Sequence, residues 1–373
     1  MISIIKNVEV YAPEYIGKKE ILITGEKIVG VVNPGEVVLK GIDINEIDAR
    51  GVIAVPGFID GHIHIAGAGG DGGPVTRTEG LQLADMLHAG ITTVVGCLGT
   101  DGFTRNIESV LMKTKQLRAL GVSAYMLTGA YQVPTPTLLG DIGRDIALVD
   151  EIIGAGEIAV GDHRSSCPTP EEIARIASQA RVGGLLGGKS GIVVIHLGSS
   201  AAAFATLFEV VEVTQIPPKQ FLPTHCSRSK QVMDDAKRWG RIGYCDITAS
   251  TTTESDESAA AAVVELLNSG VPLEHITMTS DGCGSLPKFN ETGELIALSY
   301  GTPSALTESF RMLIRSCGLV LADALQIVTS NPARILGLTG KGKIAEGYDA
   351  DLLLLDRNDL SVKQVIARGA VKL

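Results

Sequence analysis

The stretch VPGFIDGHIHIAGAGGDGG, residues 55–73, places two histidines one residue apart where an apolar run gives way to glycine. Side chains alternate along an extended strand, so His62 and His64 point to the same side. Two imidazoles on one face at a strand end could share a metal ion; in isolation they could equally be hydrogen-bonded core histidines. The chain has seven histidines, and five of them (His62, His64, His163, His196 and His225) lie at or beside the ends of strand-like runs. His88 falls in a helical segment and His275 just before a strand. Asp281 closes the last run. With His62, His64, His196 and His225 it makes a donor set suited to zinc or a similar divalent ion. His163, beside Arg164, reads as a packed supporting residue rather than a ligand.

The elements that must position these groups read as strands alternating with helices. The apolar runs are VIAVPGFIDGHIHI, GITTVVGCLG, SAYMLTGAY, EIAVGDHR, GIVVIHLG, FLPTHCS, GYCDITAST and ITMTSDG, eight in all. The fourth is expected to begin near Glu157 and to close with Asp162, His163 and Arg164. Periodic helical segments such as EGLQLADMLHAG, TRNIESVLMKTKQLRALG and ESAAAAVVELLNSG lie between them. Runs this apolar suit strands covered on both faces, as in a parallel sheet. Eight strand–helix units over the central region match an α/β protein of the (β/α)8 TIM-barrel type, whose functional groups gather at the carboxyl ends of the strands. A doubly wound sheet is the alternative, but GAGGDGG lacks the glycine spacing of a dinucleotide turn. Residues 1–55 and 336–373 read as short strands, including SIIKNVEVYA, KEILITGEKIVGVV and GEVVLKG. Neither end could bury a core alone, so the two are expected to build one small β-sandwich, leaving 56–335 as the barrel.

Composition narrows the classes of function. The chain has 373 residues, 45% of them hydrophobic and only 4% aromatic, with 44 glycines and a net charge of −10. That charge argues against nucleic acid or an anionic membrane as partner. No run of about 18 apolar residues occurs, and the amino terminus lacks the layout of a signal peptide. Six cysteines are scattered without a Cys-x-x-Cys pair, which suits reduced thiols in a cytoplasmic protein. No Gly-x-Ser-x-Gly elbow supports a nucleophilic serine.

With these motifs assembled, the chain resembles the amidohydrolase superfamily of metal-dependent hydrolases through PGFIDGHIHI, the single histidines ending runs five and six, SDG, and GKIAEGYDADLLLLD. More narrowly it resembles the isoaspartyl (β-aspartyl) dipeptidases over nearly its whole length, through GGPVTRT, VVGCLGTDG, YMLTGAYQVP, DHRSS, RVGGLLGGKSGIVVIHLG, LPTHCSR and TSDGCGSLP. The resemblance implies hydrolysis of dipeptides joined through the aspartate side chain, a barrel with a small β-sandwich, and homo-oligomerisation. It implies two divalent ions per chain, such as Zn2+: one on His62 and His64, the other on His196 and His225, with Asp281 on the first and acting as proton acceptor. Arg164 and Arg228 match residues that hold substrate carboxylates, and Tyr131 matches the group that polarises the scissile carbonyl. Gly69, Thr100 and Ser285 match the pocket lining.

Two positions depart from that pattern. Where the family has a lysine that bridges both metals as a carbamate, this chain has Glu157, and no lysine lies between Lys115 and Lys189. Glu157 is expected to bridge in its place, or to bind one ion only. Where the family has a glutamate for the substrate's α-amino group, this chain has Asp71, one methylene shorter. The expected chemistry is attack by a hydroxide held between two ions, whose bound water is acidified from 15.7 to about 7. Another amidohydrolase acting on a cyclic amide or N-acyl amino acid is the alternative. A non-catalytic assembly protein is a remote one, because such relatives lose the ligands kept here.

Overall fold

The computed structural model describes residues 2–37, 41, 43–200, 202–250, 258–290, 292 and 294–373. The amino-terminal strands β1 (Ile2–Tyr11), β2 (Tyr15–Thr24), β3 (Lys27–Val32), β4 (Ile44–Asp48) and β5 (Val52–Pro56) precede a parallel series. That series comprises β6 (Phe58–Ile63), β7 (Ile91–Gly96), β8 (Ser123–Thr128), β9 (Ile152–Val160), β10 (Ile192–Leu197), β11 (Phe221–Thr224), β12 (Cys245–Thr248) and β13 (Ile276–Thr279). A hairpin of β14 (Ser285–Phe289) and β15 (Leu295–Tyr300) follows, and the chain ends in β16 (Leu352–Asp356), β17 (Val362–Ala367) and β18 (Ala370–Val371).

Both ends of the chain meet in one eight-stranded sheet of order β18-β17-β16-β5-β1-β2-β3, with β4 paired to β1. The long β1 makes this possible by pairing β4 along Ile2–Lys6 and β5 at Glu9 and Val10. The sheet curls until its ends touch: Ile28 N donates to Tyr348 O at 2.9 Å, and a Cβ on Gly369 would lie 1.9 Å from Gly25 O. Ile5, Ile21, Ile28, Leu354 and Ile366 fill the resulting core. The termini therefore share a single curled sheet rather than two separate stacked ones. The apolar run VIAVPGFIDGHIHI divides at Gly57, its first half joining this sheet and its second opening the parallel series. Val38, Leu39 and Lys40 of the expected strand GEVVLKG, and Thr251 at the end of GYCDITAST, lie outside the described residues.

Six parallel strands form a sheet in the order β11-β10-β9-β8-β7-β6, and β12 and β13 pair beside it. Backbone bonds reach across both gaps. Cys226 N donates to Asp246 O at 3.2 Å beyond β11, while Asp281 N donates to His62 O at 3.1 Å and His64 N to Gly282 O at 2.9 Å. A layer of apolar side chains beneath the strand ends takes Ile59, Val95, Leu127, Ile153, Val194 and Leu222 from successive strands, and Leu336 and Leu338 pack against it.

Strand β9 corrects the sequence expectation. It starts at Ile152, five residues before Glu157, so Glu157 sits inside a strand rather than at its start. The glycines ahead of Glu157 permit close strand contact: a Cβ on Gly154 would lie 2.4 Å from Ile192 O, and one on Gly156 2.6 Å from Val194 O.

Helices α1 (Leu83–His88), α2 (Ile107–Ala119), α3 (Ile142–Leu148), α4 (Pro170–Gly187), α5 (Ala205–Val213), α6 (Lys230–Trp239) and α7 (Ala259–Asn268) separate the strands, and α8 (Ser304–Arg315) follows the hairpin. Asn106, Asp141, Thr169, Ser229 and Ser258 cap α2, α3, α4, α6 and α7, each side chain accepting a backbone N–H of the first turn. Such caps contribute about 1 kcal/mol each; Thr169 and Glu172 complete a reciprocal capping box on α4. Hydroxyls satisfy buried carboxylates inside the strands. Asp246 accepts from Thr224, Thr277 and Thr279 at 2.7, 2.7 and 2.6 Å, and Asp60 accepts from both the backbone and the hydroxyl of Ser280.

Candidate active site

Strand alternation does bring His62 and His64 together, with ring centroids 5.6 Å apart. His225, after β11, lies 5.6 Å from His62 and 4.6 Å from His196, which ends β10. Glu157 stands among all four. Its Oε1 is 3.4 Å from His64 Nε2, and its Oε2 is 3.4 Å from His62 Nε2, 3.0 Å from His196 Nδ1 and 3.8 Å from His225 Nε2. Asp281 Oδ1 lies 3.0 Å from His64 Nε2 and 3.7 Å from His62 Nε2. All six side chains are buried. Glycine makes room for them: a Cβ on Gly99 would press within 2.8 Å of His64 Cε1 and 2.9 Å of Glu157 Oε1. His225 and Asp281 both take left-handed φ, 63° and 50°, a conformation costly for such residues and concentrated at functional sites.

The electrostatics separate this cluster into two halves. Burial opposes protonation of His62 and His64, but Cys97 with Glu157 on one side and Asp281 on the other raise both well above the ordinary histidine value. Burial also opposes ionisation of Glu157 and Asp281. His62 and the hydrogen bond from His196 nevertheless hold Glu157 well below the usual carboxylate range, and His64 and His225 hold Asp281 at about 2. His225 moves the other way. Burial, Arg228 and His196 push it down to about 3, leaving it neutral at ordinary pH. Its Nδ1 is fixed by Thr248 Oγ1 at 2.5 Å, so Nε2 faces Glu157.

Whether these residues suit metal ions can be judged from their unsatisfied donors. Among the described residues, neither ring nitrogen of buried His62 has a hydrogen-bond partner, a costly state unless a further group engages them. Two donor groups, His62–His64–Cys97–Glu157 and Glu157–His196–His225, each have their ligand atoms within 4.8 Å of one another. Nitrogen, sulfur and carboxylate donors in this number fit zinc-like divalent ions. The residues present fit the group.

Above the cluster opens a cavity of about 630 Å³, lined in part by His64, Thr100, Tyr131, Arg164, Arg228 and Ser285. Tyr131 Oη lies 2.7 Å from His196 Nδ1, and burial next to Glu157 raises its phenol well above 10, so it keeps its proton. Arg164 donates to both oxygens of Asp162 at 3.0 and 2.8 Å and to Asp71 Oδ1 at 3.3 Å. Ser285 donates to Asp71 Oδ2 at 2.8 Å. Arg228 Nη1 is 2.7 Å from His196 Nε2 and 3.5 Å from Asp162. Gly69 has φ 75°, and a Cβ there would lie 2.4 Å from Thr76 O, so it shapes the loop carrying Asp71. His163 lines the cavity from an exposed position outside the histidine ring. Asp162, Thr248 and Cys97 received no role from the sequence, although the carboxylate two residues before Arg164 was a visible signal for Asp162.

A match to the Amidohydrolase family spans residues 53–372. The chain belongs to the amidohydrolase family. Its structure is similar to that of a β-aspartyl dipeptidase from Fervidobacterium islandicum AW-1 in complex with β-Asp-Leu dipeptide, at 43% identity and TM-score 0.93, covering 100% of this chain and 96% of that one. More distant amidohydrolase-like structures share the fold: a D-hydantoinase from Thermus sp. is 18% identical with TM-score 0.70, covering 99% and 94%. In sequence, a dihydroorotase from Elusimicrobium minutum is 25% identical over 95% of this chain and 88% of its own length. No helix among the described residues is long and apolar enough to cross a membrane.

Proposed function

We propose that this amidohydrolase cleaves the isopeptide bond of β-aspartyl dipeptides, with Glu157 serving both halves of a two-metal site. The observation that carries this reading is Glu157 within 3.0 to 3.8 Å of all four histidines, beneath a cavity whose rim holds two arginines. Substrate chemistry follows from the rim. An isoaspartyl dipeptide presents two carboxylates and one ammonium. Arg164 and Arg228 would take the carboxylates through their planar forks, and Asp71, held by Arg164 and Ser285, would take the ammonium.

His62, His64 and Asp281 would hold one divalent ion, His196 and His225 a second, and Glu157 would touch both; zinc suits these donors. When bound, such ions supply Lewis-acid activation of water and of the amide carbonyl. Asp281 accepts the proton of the attacking water and returns it to the departing amine as the C–N bond breaks. Tyr131, still protonated, donates to the oxygen on which charge develops. Thr100 and Gly69 shape the walls around these groups.

The eight parallel strands are read as a closed (β/α)8 barrel over residues 56–335, with 1–55 and 336–373 as a separate β domain. The backbone bonds across both sheet gaps support this closure. Homo-oligomerisation is favoured by the exposed Val182, Leu185 and Leu186 on α4, and a reducing, cytoplasmic setting by six free cysteines. The experiment is hydrolysis of β-Asp-Leu against α-Asp-Leu by the metal-loaded protein. Strong preference for the β-linked dipeptide is expected, and equal rates, or turnover only of cyclic amides, would overturn the reading.

A further inference from the structure

Cys97 lies one residue beyond β7, fully buried, with its backbone N–H donated to Ile63 O at 3.2 Å. Its thiol differs from those of the other buried cysteines. Cys226 Sγ donates to Pro223 O at 3.3 Å and Cys245 Sγ to Ala236 O at 3.5 Å, as small structural thiols do. Cys97 Sγ donates to Ile63 O at a longer 3.8 Å. It lies 3.9 Å from His64 Nδ1 and belongs to the tight group with His62, His64 and Glu157. A second, independent observation points into the same spot: His62, 2% exposed, has no hydrogen-bond partner for either ring nitrogen among the described residues.

The geometry points to Cys97 as a thiolate ligand of the ion held by His62 and His64, an assignment that rests on the two-metal reading above. One ligand atom from each of Cys97, His62, His64 and Glu157 lies within 4.8 Å of the others, a group compact enough for one ion with zinc–sulfur and zinc–nitrogen bonds of about 2.3 and 2.0 Å. Coordination exchanges the thiol proton for the metal: the S–H bond breaks, an S–metal bond forms, and H+ leaves to solvent. A sulfur donor makes this half of the site select Zn2+ or Co2+ over the oxygen-seeking Mg2+ and Mn2+, a preference the His196/His225 half does not share.

The test uses the full-length protein loaded with Zn2+ or Co2+. X-ray absorption at the zinc edge is expected to show a sulfur neighbour at about 2.3 Å, and the cobalt form a near-ultraviolet sulfur-to-metal charge-transfer band. Cys97→Ser and Cys97→Ala should abolish both signals and weaken one of the two ions by at least about tenfold, the lower end of what even groups supporting a ligand contribute. Ions bound at the histidines with only nitrogen and oxygen neighbours, or a charge-transfer band that survives Cys97→Ala, would overturn the assignment and leave the two-metal reading standing. Failure of the wild-type protein to bind any ion would overturn both. The wild-type absorption spectrum decides the matter even if the variants do not fold.

Discussion

His62 and His64 face Cys97, Glu157 and Asp281, whereas His196 and His225 share Glu157 but look out on Arg228 and the cavity. The same imidazole chemistry therefore meets opposite fields within a few ångströms. In the first half, anionic neighbours raise both histidines well above their ordinary value; in the second, Arg228 helps push His225 to about 3. As proposed, the first half would attract a cation through these anions. In the second, His225 would accept an ion without losing a proton, and Arg228 would leave positive charge facing the cavity. One carboxylate joins the two, which is why Glu157 is the residue whose loss should be felt on both sides.

Removing that join is the strongest way to break the comparison. Glu157→Ala should lower metal content below two ions per chain by elemental analysis and cost several orders of magnitude in kcat/KM; an unchanged count would show that Glu157 is no ligand. Asp281→Asn should keep metal yet lower kcat by about 10²–10⁴-fold, the usual worth of a positioned proton acceptor. Near-normal turnover would refute its role. The field difference is sharpened by pH. A cation entering the His62/His64 half must displace protons, so its affinity should fall by roughly tenfold per pH unit for each proton released as pH drops below the raised histidine values. His225 is already neutral above about 3, so it releases no proton over that range and its half should show the shallower slope. Two parallel slopes in a competitive metal titration would contradict the asymmetry. Arg228→Met should raise KM for β-Asp-Leu by about 10–100-fold, the scale of a charge-assisted hydrogen bond, and lift the His225 pKa. Thr248→Val, which frees His225 Nδ1, should have the mildest effect, weakening the second ion by at most about tenfold to a hundredfold.

Much of this was legible along the chain because its signals are local. Strand alternation alone aligns His62 with His64, and histidines at run ends gather because parallel strands stop on the same side of the sheet. The arginines and Tyr131 were readable through whole motifs rather than through any property of single residues. What escaped depends on distance in sequence. Cys97 looks like any apolar-strand cysteine until β6 brings His64 beside it. Asp60 and Asp246 look like interruptions in apolar runs until Ser280 and the three threonines satisfy them. The start of β9 is not legible locally, because Gly154 and Gly156 belong to the strand through their close backbone approach to β10. The curl of the terminal sheet likewise follows from pairing between residues more than three hundred positions apart.

Anomalous diffraction at the zinc edge from crystals of the zinc-loaded protein tests most directly whether Glu157 stands between two bound ions. Two peaks flanking Glu157 are expected, one against His62 and His64 and the other against His196 and His225. A single peak, or ions bound away from Glu157, would contradict that placement.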